Sequence, residues 1–229
     1  MAQRKAEEAA GGEDATSTQL VLAALELFAQ HGIEAVALSR IREAVGAANR
    51  SAVHYHFRNK TGLVKAVMER VAGMLAPLQN EALAELEMIR RRRRPKVREI
   101  VAIGFSPFVA LFQQSREGML AVRFLSRLTW ESGSEAQALL VRTLRPYFEK
   151  LTPMFSAAMP DKPVEAIGFH GYLAVNNLIH GLSDITLLTQ EPTYGVDKLY
   201  REQPELMLEY FYDYLSAGMA SKVGPASPR

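Results

Sequence analysis

The chain has 229 residues, 48% of them hydrophobic, and is therefore long enough to bury one large core or two smaller ones. It contains no cysteine, which excludes a disulfide scaffold and thiolate metal ligands, and its formal net charge of +2 does not by itself indicate a nucleic-acid partner. The first fifteen residues lack the apolar core of a signal peptide, and no uncharged apolar run of about 18 residues occurs. We therefore expect a soluble, cytoplasmic protein with no membrane partner.

Positive charge is concentrated in one segment near the N-terminus. Residues 38–65 contain six basic side chains and one acidic side chain, so the segment carries six minus one, or +5. A basic segment within a nearly neutral chain is typical of proteins that bind nucleic acid.

The N-terminal third shows helical periodicity after a polar tail. Residues 1–15 are predicted to be disordered, and an apolar stripe from Leu20 to Phe28 predicts a first helix that starts near residues 16–18 and ends at Gly32. Short helices are predicted at about 38–45, stopping at Gly46, and at about 50–56.

A long helix is predicted to begin near Lys60 or Thr61. Pro77 interrupts it, but the apolar pattern resumes afterwards, so a kink is expected rather than an end. Further helices are predicted at about 96–114, 117–131, 134–149, 162–189 and 197–219. Strand alternation is missing, and the sequence therefore predicts an all-α fold with a domain at 16–62, a larger helical body at 63–220 and a disordered tail at 221–229.

Two short helices joined by a glycine turn beneath a first helix form a helix-turn-helix DNA-binding unit. Such a unit needs small, polar and cationic side chains on the helix that enters the major groove, where arginine recognises guanine and asparagine recognises adenine. Phosphate contacts set the position of the protein but not its sequence preference. The candidate DNA-binding residues are Ser39, Arg40, Asn49, Arg50, Ser51, His54, Tyr55, His56 and Lys60.

Several short blocks in this region carry a resemblance to a known family. They are Ala23-Ala24, Leu27-Phe28, His31-Gly32-Ile33, Ile41, Ala44, Gly46 and, above all, Val53-His54-Tyr55-His56-Phe57-Arg58-Asn59-Lys60-Thr61-Gly62-Leu63. The stretch from Leu20 to Leu63 resembles the DNA-binding domain of the tetracycline-repressor (TetR) family.

The resemblance implies a homodimeric transcriptional regulator that binds a palindromic double-stranded DNA operator and is released by a small-molecule effector. Repression is the implied mode, with activation as the alternative. By position, His54 takes the place of the family's phosphate-touching tyrosine, Tyr55 and His56 follow in the turn that faces the groove, and Lys60 is the phosphate anchor. No cofactor is implied.

The sequence departs from the family pattern at three points. Val53 follows Gly46 by seven residues, one more than is usual, so the turn or the start of the recognition helix is shifted. Ala37 stands where a Ser or Thr usually caps the second helix, leaving Ser39 as the nearest hydroxyl. His54 replaces the tyrosine and can titrate near neutral pH.

Two basic features have alternative interpretations. His54 and His56 are two residues apart and point to different faces of a helix, so no metal site is predicted there. The arginine run at 90–94 is interpreted as a solvated loop, about 45 Å along the long helix from the DNA groove, with binding of a polyanion as the alternative.

The body offers candidates for an effector pocket and for a dimer interface. Aromatic side chains on neighbouring helices form the core or line a cavity, together with a few polar groups. The pocket candidates are Phe105, Phe108, Phe112, Phe124, Trp130, His170 and Asn177, and the interface candidates, on the last two long helices, are Gly171, Gly181, Tyr210, Phe211 and Tyr214.

Two functions of other classes remain as alternatives. Enzyme motifs such as a nucleophile elbow, a phosphate loop, a dinucleotide fingerprint or a zinc-protease helix are not found, which disfavours a helical-bundle enzyme. A protein-interaction module with a basic patch would instead bind every DNA sequence equally, with an affinity that falls as salt rises.

Overall fold

The computed structural model describes residues 2–46, 52–130, 135–185, 190 and 195–222, with side chains from residue 15 onward except at residue 52. The described residues form ten α-helices and no strand, which confirms the all-α prediction. The helices are α1 (Ala2–His31), α2 (Leu38–Ala44), α3 (Ala52–Phe57), α4 (Lys60–Arg92), α5 (Val97–Gln114), α6 (Arg116–Trp130), α7 (Glu135–Ala158), α8 (Val164–Ser183), α9 (Val196–Glu202) and α10 (Pro204–Ala220).

Helices α1 to α3 and the start of α4 enclose a small apolar core. Phe28, Ile41, Val53 and Leu63, one from each of these helices, are all buried. Gly32 ends α1 with φ of +80°, a left-handed conformation that favours glycine, and its N–H donates to the Phe28 carbonyl at 2.9 Å. These contacts fix the angles between the short helices, and we call this unit the head.

The rest of the chain packs around α5 and α6. Phe105, Phe108 and Phe124 are fully buried there, and burial of each ring contributes about 1.5–3 kcal/mol relative to leaving it exposed. Tyr147 donates its hydroxyl to the Gly104 carbonyl at 2.6 Å, and burial raises the pKa of that hydroxyl. The body is therefore a close-packed set of helices in which α7 and α8 both contact α5 and α6.

Helix α1 joins the head to the body. Phe28 stacks on Phe124 of α6 with ring centroids 6.3 Å apart. Arg116, at the start of α6, forms an ion pair with Glu26 at 2.6 Å. Arg127, near the other end of α6, donates to the carbonyls of Ala29 and Gln30 at 3.4 and 3.3 Å. A movement of α6 would therefore act directly on the end of α1 that leads into the DNA-binding helices.

Helix boundaries differ from the predictions at several places; for example, the helix predicted to reach residue 189 ends at Ser183. Helix α1 extends back to Ala2, through the region predicted to be disordered, because its Ala, Glu, Lys and Arg residues favour helix. Helix α7 contains Pro146 and continues past Pro153, where a break was expected; both prolines are exposed, and burial of a stripe that includes Leu151 offsets the lost hydrogen bonds. The predicted last helix is divided in two at Gln203.

The arginine run is a helix end followed by a loop, and not a loop throughout as the sequence indicated. Arg90 to Arg92 form the last turn of α4, where cations favour the negative end of the helix dipole. Arg90 pairs with Glu87 at 2.7 Å, and Arg93 pairs with Glu99 of α5 at 2.5 Å. Arg93, together with the backbone N–H of Lys96, lowers the pKa of the Glu99 carboxyl to about 2.

No helix in the described ranges is both long and apolar enough to cross a lipid bilayer. Within the same ranges, no group of three or more His, Asp or Glu side chains is arranged to hold a metal ion.

Candidate DNA-binding site and ligand cavity

Helix α3 presents its polar side chains to solvent. Val53 is buried against the head, while His54 is exposed and Tyr55 has 67% of its surface exposed. The Tyr55 ring lies edge-on to His56, with centroids 5.0 Å apart. The candidates Asn49, Arg50 and Ser51 lie outside the described residues. The part of α3 that is described thus has one buried face and one face open to a partner.

The turn from α3 to α4 determines how the His54 ring is protonated. Arg58 has φ of +66°, and its carbonyl lies 2.6 Å from His54 Nδ1. Because a carbonyl oxygen can only accept, Nδ1 must carry the proton and donate. In the neutral ring, Nε2 is then an acceptor, and only the protonated ring can also donate from Nε2 to a phosphate.

The N-terminus of α4 lies beside this turn. Asn59 caps the helix, since its Oδ1 accepts from the Gly62 N–H at 2.9 Å. Gly62 cannot carry a side chain in this backbone, because a Cβ there would lie 2.0 Å from the Phe57 carbonyl oxygen. Lys60 donates from Nζ to the Glu34 carbonyl at 3.2 Å, which holds its ammonium beside the loop after α1.

Helix α2 begins without a side-chain cap. Ala37 occupies the N-cap position, as the sequence pattern indicated, and Ser39 is exposed in the first turn. Arg40 donates from its guanidinium to His31 Nε2 at 2.9 Å, because a guanidinium has no acceptor. Arg40 contacts the last residue of α1 and Lys60 contacts Glu34 just after it, so both lie at the same end of the molecule.

A cavity of about 860 Å³ lies between α7 and α8. Phe105 of α5 and Thr129 of α6 also contribute to its wall. Its volume is within the range of about 300–1,000 Å³ that is typical of small-molecule sites. Of the seven sequence candidates for the pocket, Phe105 lines this cavity.

The other pocket candidates lie elsewhere. Phe108 and Phe124 are fully buried in the core, and Phe112 packs against that core half-buried. His170 and Asn177 line a separate cavity of about 370 Å³ near the end of α10.

Trp130 is 74% exposed and lies edge-on to the His180 ring, with centroids 5.5 Å apart. His180 is held by hydroxyls of α6. The Thr129 hydroxyl donates to the Ser126 carbonyl, so its oxygen accepts from His180 Nε2 at 2.8 Å, and Ser126 then donates to Nδ1 at 2.8 Å. Burial lowers the pKa of His180 and so favours the neutral ring; the negative charge of Asp184 has a smaller, opposite effect.

Sequence reasoning missed the two arginines of the larger cavity. Arg142 and Arg145 both contribute to its wall from α7. They are three residues apart and therefore share a helix face beside the apolar stripe. Nothing in the sequence pattern distinguishes them from ordinary solvated arginines, since their position depends on how α8 packs on α7.

Large apolar side chains are exposed together on α8 and α10. Phe169 and Tyr172 of α8 are 61% and 63% exposed, and Tyr210 and Tyr214 of α10 are 56% and 64% exposed. Leu173 of α8 adjoins Tyr214, since both line the smaller cavity. We call these five residues the α8–α10 face. Contiguous exposed apolar side chains of this kind are characteristic of protein–protein interfaces.

The remaining interface candidates have other surroundings. Gly181 and Phe211 lie against each other within one subunit, and a Cβ at Gly181 would be 3.1 Å from the Phe211 ring. Gly171 contributes to the wall of the larger cavity. The absence of a side chain at Gly181 thus allows α10 to approach α8 closely.

The geometry of α1 to α4 defines a helix-turn-helix protein. Residues 20–67 match the family described as bacterial regulatory proteins, tetR family. These residues form the N-terminal helix-turn-helix domain of the TetR family, which is the domain of DNA-binding transcription regulators. The TetR-type DNA-binding domain predicted from the sequence is confirmed.

One solved structure of similar fold is that of AmtR from Mycobacterium smegmatis. The match covers 90% of this chain and 86% of that chain, with 18% sequence identity and a TM-score of 0.52. At this identity the likeness concerns the fold alone, including the helical body that follows the head.

Proposed function

We propose that the protein is a homodimeric repressor that binds an approximately palindromic operator and is released by a small molecule bound between α7 and α8. Two subunits would place their α3 helices about 34–36 Å apart, one turn of DNA, so that each enters a successive major groove. Such a regulator of chromosomal genes would act in the cytoplasm.

The DNA contacts proposed for the head fall into two groups. Tyr55 and His56, with Asn49, Arg50 and Ser51, would face base edges from α3. Lys60 and His54, with Ser39 and Arg40 of α2, would contact phosphates and position the head. Two observations support this division: polar side chains of α3 are exposed, and Arg40 and Lys60 lie at the same end of the molecule.

Dimerisation is proposed to bury the α8–α10 face. Four aromatic side chains that are more than half exposed on two adjacent helices would lose their contact with water in a four-helix seam. The same face on both subunits would give a two-fold axis, and this symmetry matches a palindromic operator.

One observation carries the proposed release mechanism: α6 touches both the cavity and the head. Thr129 lines the cavity, and Arg127, two residues earlier, holds the carbonyls at the end of α1. A ligand that displaces α6 would therefore move α1, and with it α3, away from the spacing that fits DNA. Linkage requires that operator binding weaken ligand binding by the same factor.

The first experiment isolates the operator by selecting bound sequences from random DNA. Tyr214→Arg is then compared with the wild type for oligomeric state, by light scattering, and for operator affinity, by fluorescence anisotropy. We expect a monomer with at least about 100-fold weaker binding, because a buried unpaired charge opposes the seam. Met88→Arg, which replaces a 56% exposed apolar side chain on α4, is the matched control and should change neither property. A Tyr214→Arg protein that remains dimeric would contradict the proposed seam.

A further inference from the structure

The charged side chains that line the described part of the α7–α8 cavity are all of one sign. Among the described residues that line it, the only ionisable groups that are charged at neutral pH are the guanidinium groups of Arg142 and Arg145, and no carboxylate is present. Both arginines are exposed, so they lie at the mouth of the cavity rather than in its floor. An electrostatic preference for negatively charged ligands follows from this arrangement.

The two arginines are the charged groups of the cavity wall, and they remain available to a ligand. Thr129 and Thr152 already donate their hydroxyls to the carbonyls of Ser126 and Phe148. Within the described residues, neither arginine makes a hydrogen bond or an ion pair, although Glu149 follows Arg145 by four residues. A ligand anion could therefore bind them without displacing a partner among the residues that the structure describes.

The deeper wall of the cavity is apolar. The rings of Phe105, Phe148 and Phe155 contribute to it. On α8, Gly168 and Gly171 lie at the cavity, and a Cβ at either would meet no atom within 4 Å. This wall provides room for a bulky apolar group beside the aromatic rings.

We propose that the effector is an amphipathic anion, with its apolar body among the three phenylalanine rings and its acidic group between Arg142 and Arg145. This inference rests on the proposed function, because it specifies the chemical class of the ligand that the cavity would bind. A carboxylate, sulfonate or phosphate accepts hydrogen bonds from a guanidinium in the same fork-like geometry.

Two fluorescent probes of nearly equal shape test the charge preference directly. The first, 8-anilino-1-naphthalenesulfonate, carries a sulfonate, and the second, N-phenyl-1-naphthylamine, is the same ring system without it. With wild-type protein in the absence of DNA, we expect the anionic probe to bind about tenfold more tightly, a difference of about 1.4 kcal/mol.

Three variants locate the binding and identify its cause. In the double variant Arg142→Gln and Arg145→Gln, the preference for the anionic probe should disappear while the neutral probe binds as before. The variant with Arg91→Gln and Arg92→Gln removes the same charge from the end of α4 and should retain the preference. Gly171→Leu fills the cavity and should weaken both probes at least tenfold.

Gly73→Leu is the matched control for Gly171→Leu, because a Cβ at Gly73 also meets no atom within 4 Å, on an exposed part of α4. It should leave both affinities unchanged. Equal binding of the two probes, or a preference that survives in the Arg142/Arg145 variant, would overturn the proposal that the effector is an anion. The proposed function as a regulator, with another class of effector, would still stand. Binding that is insensitive to Gly171→Leu would overturn the assignment to this cavity, and the proposed function is tested separately on operator DNA.

Discussion

Gly62→Ala is expected to disrupt the turn between α3 and α4 far more than a typical helical substitution. A Cβ at Gly62 would lie 2.0 Å from the Phe57 carbonyl oxygen, whereas an ordinary carbon–oxygen contact is about 3.4 Å. The backbone at the end of α3 must therefore move by roughly 1.4 Å, which we expect to cost about 2–3 kcal/mol of folding free energy. Since Phe57 ends α3, the same movement displaces the groove-facing side chains.

Denaturant unfolding followed by circular dichroism, at equal protein concentrations, measures the stability change. Operator anisotropy measures the accompanying loss of DNA affinity. Gly73→Ala is the matched control: Gly73 lies inside the same helix, and a Cβ there meets no atom within 4 Å, so alanine should stabilise the protein by about 0.5–1 kcal/mol. If Gly62→Ala were as stable as Gly73→Ala and bound the operator normally, the described turn would be wrong.

Three further changes test the head and its connection to the body. Lys60→Met should weaken binding to all DNA sequences alike and reduce the salt dependence of binding by about one counterion per subunit. Lys65→Met, which removes an exposed cation paired with Glu69, should have a smaller effect. Equal effects of the two variants in titrations at several salt concentrations would contradict a special role for Lys60. His54→Ala should weaken binding to the operator, because it removes the hydrogen bond from Nδ1 to the Arg58 carbonyl that holds the turn between α3 and α4; an unchanged affinity would exclude this role. Arg127→Met should leave the far-ultraviolet circular dichroism unchanged, but the anionic probe should then weaken operator binding less than it does in the wild type. If the probe weakened operator binding equally in the variant and the wild type, the α6–α1 connection would be excluded.

The head could be predicted from sequence because its signals are local. Gly32 and Gly46 mark helix ends, and both have positive φ in the structure. The closing block from Val53 to Leu63 combines a buried aliphatic residue, an exposed polar face and a helix start within eleven positions. Each of these features depends on neighbours a few residues away, so the helical periodicity together with the local glycines and polar residues indicates them.

The body could be predicted only as far as its helices. Its apolar stripes identify core positions, but whether a ring such as Phe105 lines a cavity while Phe124 fills the core depends on contacts between distant helices. Gly181 illustrates the same limit, since its contact with Phe211 joins residues 30 positions apart. The continuation of α7 past Pro153 also depends on tertiary burial, which outweighs the local preference against proline.

The central claim is that two copies of the exposed α3 helix bind successive grooves of one DNA site. The most direct measurement is the mass of the complex formed with the selected operator, determined by sedimentation equilibrium together with a hydroxyl-radical footprint. The account predicts two chains per DNA duplex and two protected half-sites about 10 base pairs apart, related by an inverted repeat. A single chain per duplex, with protection that does not depend on the DNA sequence, would contradict it.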